Sequence, residues 1–465
     1  MTLSSARRHP SLRSGRALGT LLGALVAVAG CSKFLPPKDH VIALQGATLI
    51  DGSGGPPRTD ALIIIRNGHI ESVARVNEIE VPRGATVVEL AGKTIIPGLI
   101  DAHAHVERWA TGRYVAWGVT TVRDLHSNTD SALALRNALN LGSILGPRMF
   151  TAGAMIDGVP PTYGNASGVA TADDARHAVD KHAVAGVDYL KVYTKITPAL
   201  LQAILDEAGK LGLPVAAHLG KTDALTAGRA GVVSIEHMAG VVQAASGDPS
   251  YADAHNSFLA GWTTEEKGWA SLDSQAVART ARALAQTRVA IVPTLVVHDM
   301  LSRLDNPLLL TRPGMEDVPD NAQSVRSVPS LLQRTGWKSA DFDAFRRSRR
   351  RQDQFVREYK RAGGAIVAGS DAANQLLIPG YSLHEEMALL VGAGLTPLEA
   401  ITAATRRGAQ LLRADSLGIL MPGKVADLVV LNADPTRNIA ATRNIALVVI
   451  RGRMIRPDSL RATWK

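Results

Sequence analysis

The chain holds one cysteine, Cys31, among 465 residues. That excludes an internal disulfide framework, so the fold must rest on a core large enough to sustain itself. Aromatic residues are scarce at 4%, and none interleaves with the most basic run, "RRSRRRQDQ" from Arg346 to Gln354. Without stacking platforms beside those arginines, nucleic acid is excluded as a partner, and the run reads as a solvated helix face. Acids are missing from the first thirty residues, which carry Arg7, Arg8, Arg13 and Arg16. Taking those four arginines from the net charge of +9 leaves a modest +5 for the rest. The apolar run "ALGTLLGALVAVAG", Ala17 to Gly30, is fourteen residues long, too short for an ordinary membrane-spanning helix. What remains, 46% hydrophobic and 20% charged, suits a large α/β domain with a smaller companion.

The basic, Ser-rich start followed by a short apolar run reads as an export signal. The stretch "VAGC", Val28 to Cys31, resembles the bacterial lipobox, in which the cysteine becomes the acylated first residue. The resemblance implies a signal peptide over 1–30, lipidation at Cys31, and a linker over 31–40. The expected product is an exported lipoprotein, held to the membrane by its lipid anchor and not spanning it. Ser32 in place of Asp implies the outer membrane, facing the periplasm.

Beyond the linker the pattern is β-rich at both ends. "VIALQGATLI", "ALIIIRNGHIESV" and "TVVELAGKTIIPGLI" open the chain; "KVADLVVLNADP" and "IALVVIRGRMI" close it. These runs are β-branched, broken by Gly, Pro and Asp, and lack a helical period. The termini are expected to pair into one small β-sandwich, 41–95 with 414–465, around a central domain at 96–413. The middle alternates strand with helix. Strand candidates are the run into His103, "TTVRDL", "RMFTAG", "VDYLKVY", "PVAAHLG", "VVSIEH", "VAIVPTLVV" and "AIVAGSD". Between them lie helical stretches such as "TPALLQAILDEAGKLG", with Thr197 as N-cap and Pro198 at the first helical position. Eight strands alternating with helices predict the fold class α/β, a (β/α)8 TIM barrel with a small β-sandwich domain. The rhythm breaks over 241–345, where long insertions are expected to carry lid or specificity loops.

Barrel chemistry gathers at the C-terminal strand ends. In "DAHAH", His103 and His105 stand at i and i+2 on an extended segment, so both rings point the same way. Lys191, His218, His237 and Asp371 belong to four more strands, each after an apolar run where an unpaired polar group is costly. Taken singly, each has a structural reading: a hydrogen-bonded core histidine, a salt-bridged lysine, a turn or cap aspartate. Together they point to a convergent ligand site. Tyr193, two residues after Lys191, reads either as a substrate hydrogen-bond donor or as a core tyrosine.

The stretches "PGLIDAHAH", "GVTTVRDL", "YLKVY", "AAHLG", "SIEHMAG", "AGSDAA", "GLTPLEAITAAT" and "LGILMPGKVADLVVLNADP" resemble the amidohydrolase superfamily, in its imidazolonepropionase and Xaa-Pro dipeptidase-like branch. The resemblance spans nearly everything from Val41 to Ile455. It implies two divalent metal ions, zinc by preference. His103, His105 and Asp371 would hold the more buried ion, and His218 and His237 the second. Lys191 stands where relatives carry a bridging N6-carboxylysine. It further implies a metal-bridging hydroxide as nucleophile and Asp371 as general base. The implied activity is hydrolysis of an amide or peptide bond in a small substrate, a dipeptide or N-acyl amino acid. The same site could instead open a lactone, ester or cyclic imine, or deaminate; a non-catalytic barrel scaffold is the remaining alternative. Two stretches depart from the family pattern: "AMIDGVPPTYGNASG" replaces a Gly-Gly-His-Gly type segment, and Arg407 stands where relatives have Asn.

Overall fold

The computed structural model describes residues 40–464; the expected export segment and Cys31 lie outside the described residues. Both chain ends build one eight-stranded sheet. Strands Val41–Leu49, Arg58–Arg66, His69–Arg75, Thr86–Glu89 and Thr94–Pro97 come from the N-terminal side. Leu428–Leu431, Ile445–Ile450 and Arg453–Ile455 come from the C-terminal side. The seam is the antiparallel pair of Thr94–Pro97 with Leu428–Leu431, in which Ile96 faces Val429. Strand Val41–Leu49 serves two parts of the sheet, pairing through Ile42–Gln45 with Thr86–Glu89 and through Thr48 and Leu49 with Thr94 and Ile95. Gly46 sits between those halves at φ +86°, a left-handed conformation that lets the strand change direction without a Cβ penalty. The sheet folds over a core that includes Ile42, Leu44, Ile63, Ile65, Leu428 and Val430.

The central domain is the expected barrel. Its strands are Leu99–Ala104, Val119–Asp124, Arg148–Thr151, Leu190–Val192, Val215–Ala217, Ser234–Glu236, Ala290–Val292 and Ala365–Ile366. Neighbours pair in parallel. Between the third and fourth, the Asp188 amide donates to the Thr151 carbonyl at 2.9 Å. The ring closes where the Ala102 amide donates to Ala368 at 3.1 Å and Ala104 bridges Ala372. Each strand read from sequence overlaps one of these eight.

Helix starts follow the sequence signals. Thr171 with Asp174, and Thr396 with Glu399, form capping boxes, and Thr197 caps a helix whose first residue is Pro198. The arginine-rich run lies in helix Ser339–Arg361, which buries Ser348, Gln352, Phe355 and Tyr359 and turns Arg346, Arg347 and Arg350 outward. The 241–345 insertions are mainly short helices, among them Phe258–Ser271, Leu295–Leu301 and Val328–Thr335. Among the described residues no helix is long and apolar enough to cross a membrane.

Candidate active site

The strand ends bring all six proposed ligand residues to one cavity of about 730 Å³. His103 lies near the end of the first strand and His105 just beyond it. Lys191 is central in the fourth strand, His218 and His237 follow the fifth and sixth, and Asp371 follows the eighth. Ligand atoms of His103, His237 and Asp371 lie within 4.8 Å of one another. Asp371 Oδ1 is 3.0 Å from His105 Nε2 and 3.2 Å from His103 Nε2. The His237 ring stands 4.5 Å from that of His103 and 4.6 Å from that of His218, centroid to centroid. Tyr193 is buried against His218, with ring centroids 4.7 Å apart.

Three imidazoles are pinned from behind by Nδ1. His103 Nδ1 meets Glu236 Oε2 at 2.7 Å, His105 Nδ1 the His126 carbonyl at 3.2 Å, and His237 Nδ1 the Thr294 hydroxyl at 2.7 Å. Such contacts set the ring tilt and turn Nε2 toward the centre. A carboxylate and a carbonyl can only accept, so Nδ1 of His103 and of His105 carries a proton. Their Nε2 atoms then face the same Asp371 oxygen, lone pair against lone pair, unless a cation lies between them, either a proton on the ring or a metal ion.

Arg123 anchors this arrangement from inside the barrel. Fully buried, it donates to Glu236 Oε1 at 2.9 Å, Ser234 Oγ at 3.1 Å and the Ala102 carbonyl at 2.6 Å. An unpaired charge there would be prohibitive; the bidentate-capable guanidinium is fully engaged. Burial alone would raise the Glu236 carboxyl, but Arg123 and His103 hold it well below the usual range. Asp101 supports the eighth strand end in the same way, accepting from the Ser370 hydroxyl at 2.5 Å and the Ser370 amide at 2.9 Å.

The remaining electrostatics favour neutral donors. Burial lowers the Lys191 amine to about 8, and its Nζ has no hydrogen-bond partner. Burial, reinforced by neighbouring cationic groups, pushes His218 and His237 well below the ordinary histidine value. Asp371 is held well below the usual carboxylate range: burial opposes this, but the electrostatic interaction with His237 and the bonds to His103 and His105 outweigh it. The backbone is strained at the same place. His237, Met238, Thr294 and Asp371 adopt φ of 59°, 56°, 45° and 58°. Such residues cost about 1–3 kcal/mol each and persist where surrounding structure enforces them, often at functional sites.

Sequence reasoning missed several of these groups. His126 lines the cavity, and burial followed by the His105 charge lowers it to about 4. Its signal was its place directly after "TTVRDL". Arg123 and Glu236 were legible only as charges inside apolar strands. Tyr163, Phe258 and Trp262 build an aromatic wall outward from Tyr193, with Tyr163 at 5.8 Å and Phe258 at 5.6 Å from that ring. Arg334, on helix Val328–Thr335, lines the mouth and has no hydrogen bond or ion pair among the described residues.

The sequence model of the amidohydrolase family matches residues 94–455, the barrel and the seam strands that flank it. The chain belongs to the amidohydrolase family. Among solved amidohydrolase-like structures it is similar to a Bifidobacterium longum protein described as a candidate prolidase. That pair shares 26% identity over 91% of this chain and 98% of the other, with a TM-score of 0.66. A Xaa-Pro dipeptidase with bound methionine in its active site matches at 22% identity over 90% of this chain and all of the other, TM-score 0.66. Among curated proteins, the N-acyl-D-aspartate deacylase of Alcaligenes xylosoxydans xylosoxydans is 39% identical over 89 residues, 18% of this chain and 17% of that protein. The matching stretches span less than half the length of each curated relative.

Proposed function

We propose that this amidohydrolase uses two divalent metal ions, zinc by preference, to hydrolyse an amide or peptide bond in a small substrate, a dipeptide or an N-acyl amino acid. The observation that carries the reading is the approach of two Nε2 atoms to one Asp371 oxygen, at 3.0 and 3.2 Å, beside an orphaned buried amine. Four imidazoles and a carboxylate are donors suited to zinc. His103, His105 and Asp371 would hold one ion, and His218 and His237 the other, and Lys191, as a carbamate, would supply a further anionic ligand. Bound divalent ions polarise an amide carbonyl and make water a nucleophile near neutral pH.

The protein's own groups do the rest. Asp371 Oδ1 is engaged by His103 and His105, while Oδ2 has no hydrogen bond among the described residues. That carboxylate takes the proton from the attacking water and passes it to the leaving amine. The rings of Tyr193 and Tyr163 lie beside those of His218 and His126, where their hydroxyls would orient the substrate's polar groups. Phe258 and Trp262, stacked at 5.6 Å, exclude water from the apolar portion.

The test is metal content followed by a substrate screen. Protein from Ser32 onward, prepared with zinc and bicarbonate, is expected to hold about two ions per chain and to cleave members of a dipeptide or N-acyl amino-acid library. One ion per chain overturns the two-metal form, and turnover of neither substrate class overturns the amide assignment.

Arg334 supplies the unpaired cation that such a substrate's carboxylate needs at the mouth. Arg334→Ala is expected to raise KM roughly three- to tenfold for a free-carboxylate dipeptide, the discount reflecting its exposure. The carboxamide of the same dipeptide should be unaffected; equal losses on both would remove Arg334 from recognition.

Location is part of the same proposal. We infer that the enzyme is tethered to the membrane through lipid on Cys31. Cys31→Ser is expected to release the protein into the soluble fraction, and persistent membrane attachment would defeat the anchor.

A further inference from the structure

We propose that Thr294 is a positioning residue that fixes the tautomer of His237, so that the Nε2 lone pair of that ring faces the metal ligands. The inference rests on the reading of His237 as a ligand. Its warrant is a count of protons. Thr294 Oγ1 lies 2.8 Å from the Pro293 carbonyl and 2.7 Å from His237 Nδ1. A hydroxyl has one proton to give, and a carbonyl can only accept. The proton therefore goes to Pro293, and Oγ1 accepts from Nδ1–H of His237. The reverse arrangement would set two oxygen lone pairs against each other at 2.8 Å in a site where Thr294 is fully buried. With Nδ1 protonated, Nε2 is left as the free donor.

The turn that carries Thr294 is built to hold it there. Thr294 is β-branched yet stands at φ +45°, an uncommon conformation for such a side chain. The Val297 amide donates to the Thr294 carbonyl at 2.8 Å, and buried Glu386 accepts from the Val296 amide at 2.8 Å. One helical turn later, His298 Nε2 lies 3.1 Å from the His237 carbonyl, while its Nδ1 meets Glu266 Oε2 at 2.7 Å. The segment Thr294 to His298 thus grips His237 at both ring and backbone. No partner other than Thr294 meets His237 Nδ1 among the described residues.

Thr294→Val and Thr294→Ser separate positioning from mere packing. Valine keeps the β-branch and the volume but removes the acceptor; serine restores it. The first measurement is histidine 15N NMR of the metal-free protein, with the His237 signals identified by their loss in His237→Gln. Wild type and Thr294→Ser are expected to show His237 protonated on Nδ1, and Thr294→Val to lose that preference. The second is zinc affinity by chelator competition, expected to fall about 10- to 100-fold in Thr294→Val and to stay within about threefold in Thr294→Ser. A wild-type His237 protonated on Nε2, or a folded Thr294→Val that binds zinc as tightly as wild type, overturns the proposal. If Thr294→Val does not fold, the wild-type tautomer and the serine variant decide. A wild-type protein that binds no zinc would sink the metal-hydrolase reading, and the NMR measurement would still decide the role of Thr294.

Discussion

Lys191→Ala is expected to lose one or both bound ions and to lower kcat/KM by on the order of 10³-fold, about 4 kcal/mol. The residue is 2% exposed, its Nζ has no hydrogen-bond partner, and it shares the cavity with Asp371 and six histidines, His103, His105, His218 and His237 among them. As a cation it would repel any metal placed there. As a neutral amine it can add CO₂: the nitrogen forms a bond to carbon, one proton leaves, and an anionic carbamate remains. Burial, which lowers the amine to about 8, favours the neutral form that this addition needs. Three comparisons isolate the carbamate from simple loss of packing. Lys191→Arg keeps the bulk and charge but stays protonated, and should fail as badly as alanine. Acetate or propionate, small enough for the space left by Lys191→Ala, should restore part of the activity. Wild-type protein reloaded with zinc should recover faster with bicarbonate than without. Unchanged metal content in Lys191→Ala would remove the bridge from the mechanism.

Asp371→Asn is expected to keep its metal and lose about 10²- to 10⁴-fold in kcat, with KM little changed. The variant is well suited to separate ligation from proton transfer. Asp371 stands at φ +58°, where asparagine is as much at home as aspartate. Its amide donates to the His103 carbonyl at 2.8 Å, a bond that the substitution leaves intact. The amide oxygen of asparagine can still face His103 and His105, but the side chain can no longer take a proton from water. Zinc content and steady-state rates measured on the same preparation decide the case. A near-normal kcat would place the proton on another group, and loss of metal together with rate would make Asp371 chiefly a ligand.

The barrel was readable because short apolar runs and helix caps alternate along the chain on either side of 241–345. All eight strands overlap runs visible in the sequence, including three-residue strands such as Val215–Ala217 and Ser234–Glu236. Residues just past those runs were legible as site candidates for the same reason: the strand end decides where they stand. What surrounds them was not. Glu236 looks like the neighbour of His237, yet its carboxylate serves His103, 133 residues away, across the inside of the barrel. Arg123 reads as a misplaced charge until Ser234 and Glu236 arrive from a strand more than a hundred residues on. Phe258, Trp262 and Arg334 come from the insertions, where no periodicity tells which side chain turns inward. Thr294 carries no signal of its own; only the relation of its hydroxyl to the adjacent Pro293 carbonyl and to His237, far back in the sequence, gives it a role.

The seam between the chain ends also dictates the order in which the molecule can be finished. Lys93 Nζ and Asn432 Oδ1, which meet at 2.7 Å beside it, are separated by 339 residues. Until Leu428–Leu431 emerges, strand Thr94–Pro97 has an open edge on its C-terminal-segment side. Barrel strands can pair with near neighbours as they appear, whereas this contact waits for almost the whole chain and closes a loop of 339 residues. Completion of the sheet therefore acts as a check on chain length. A product ending before Leu428 presents an unpaired hydrophobic edge, open to aggregation or proteolysis, even where every ligand residue has already been made.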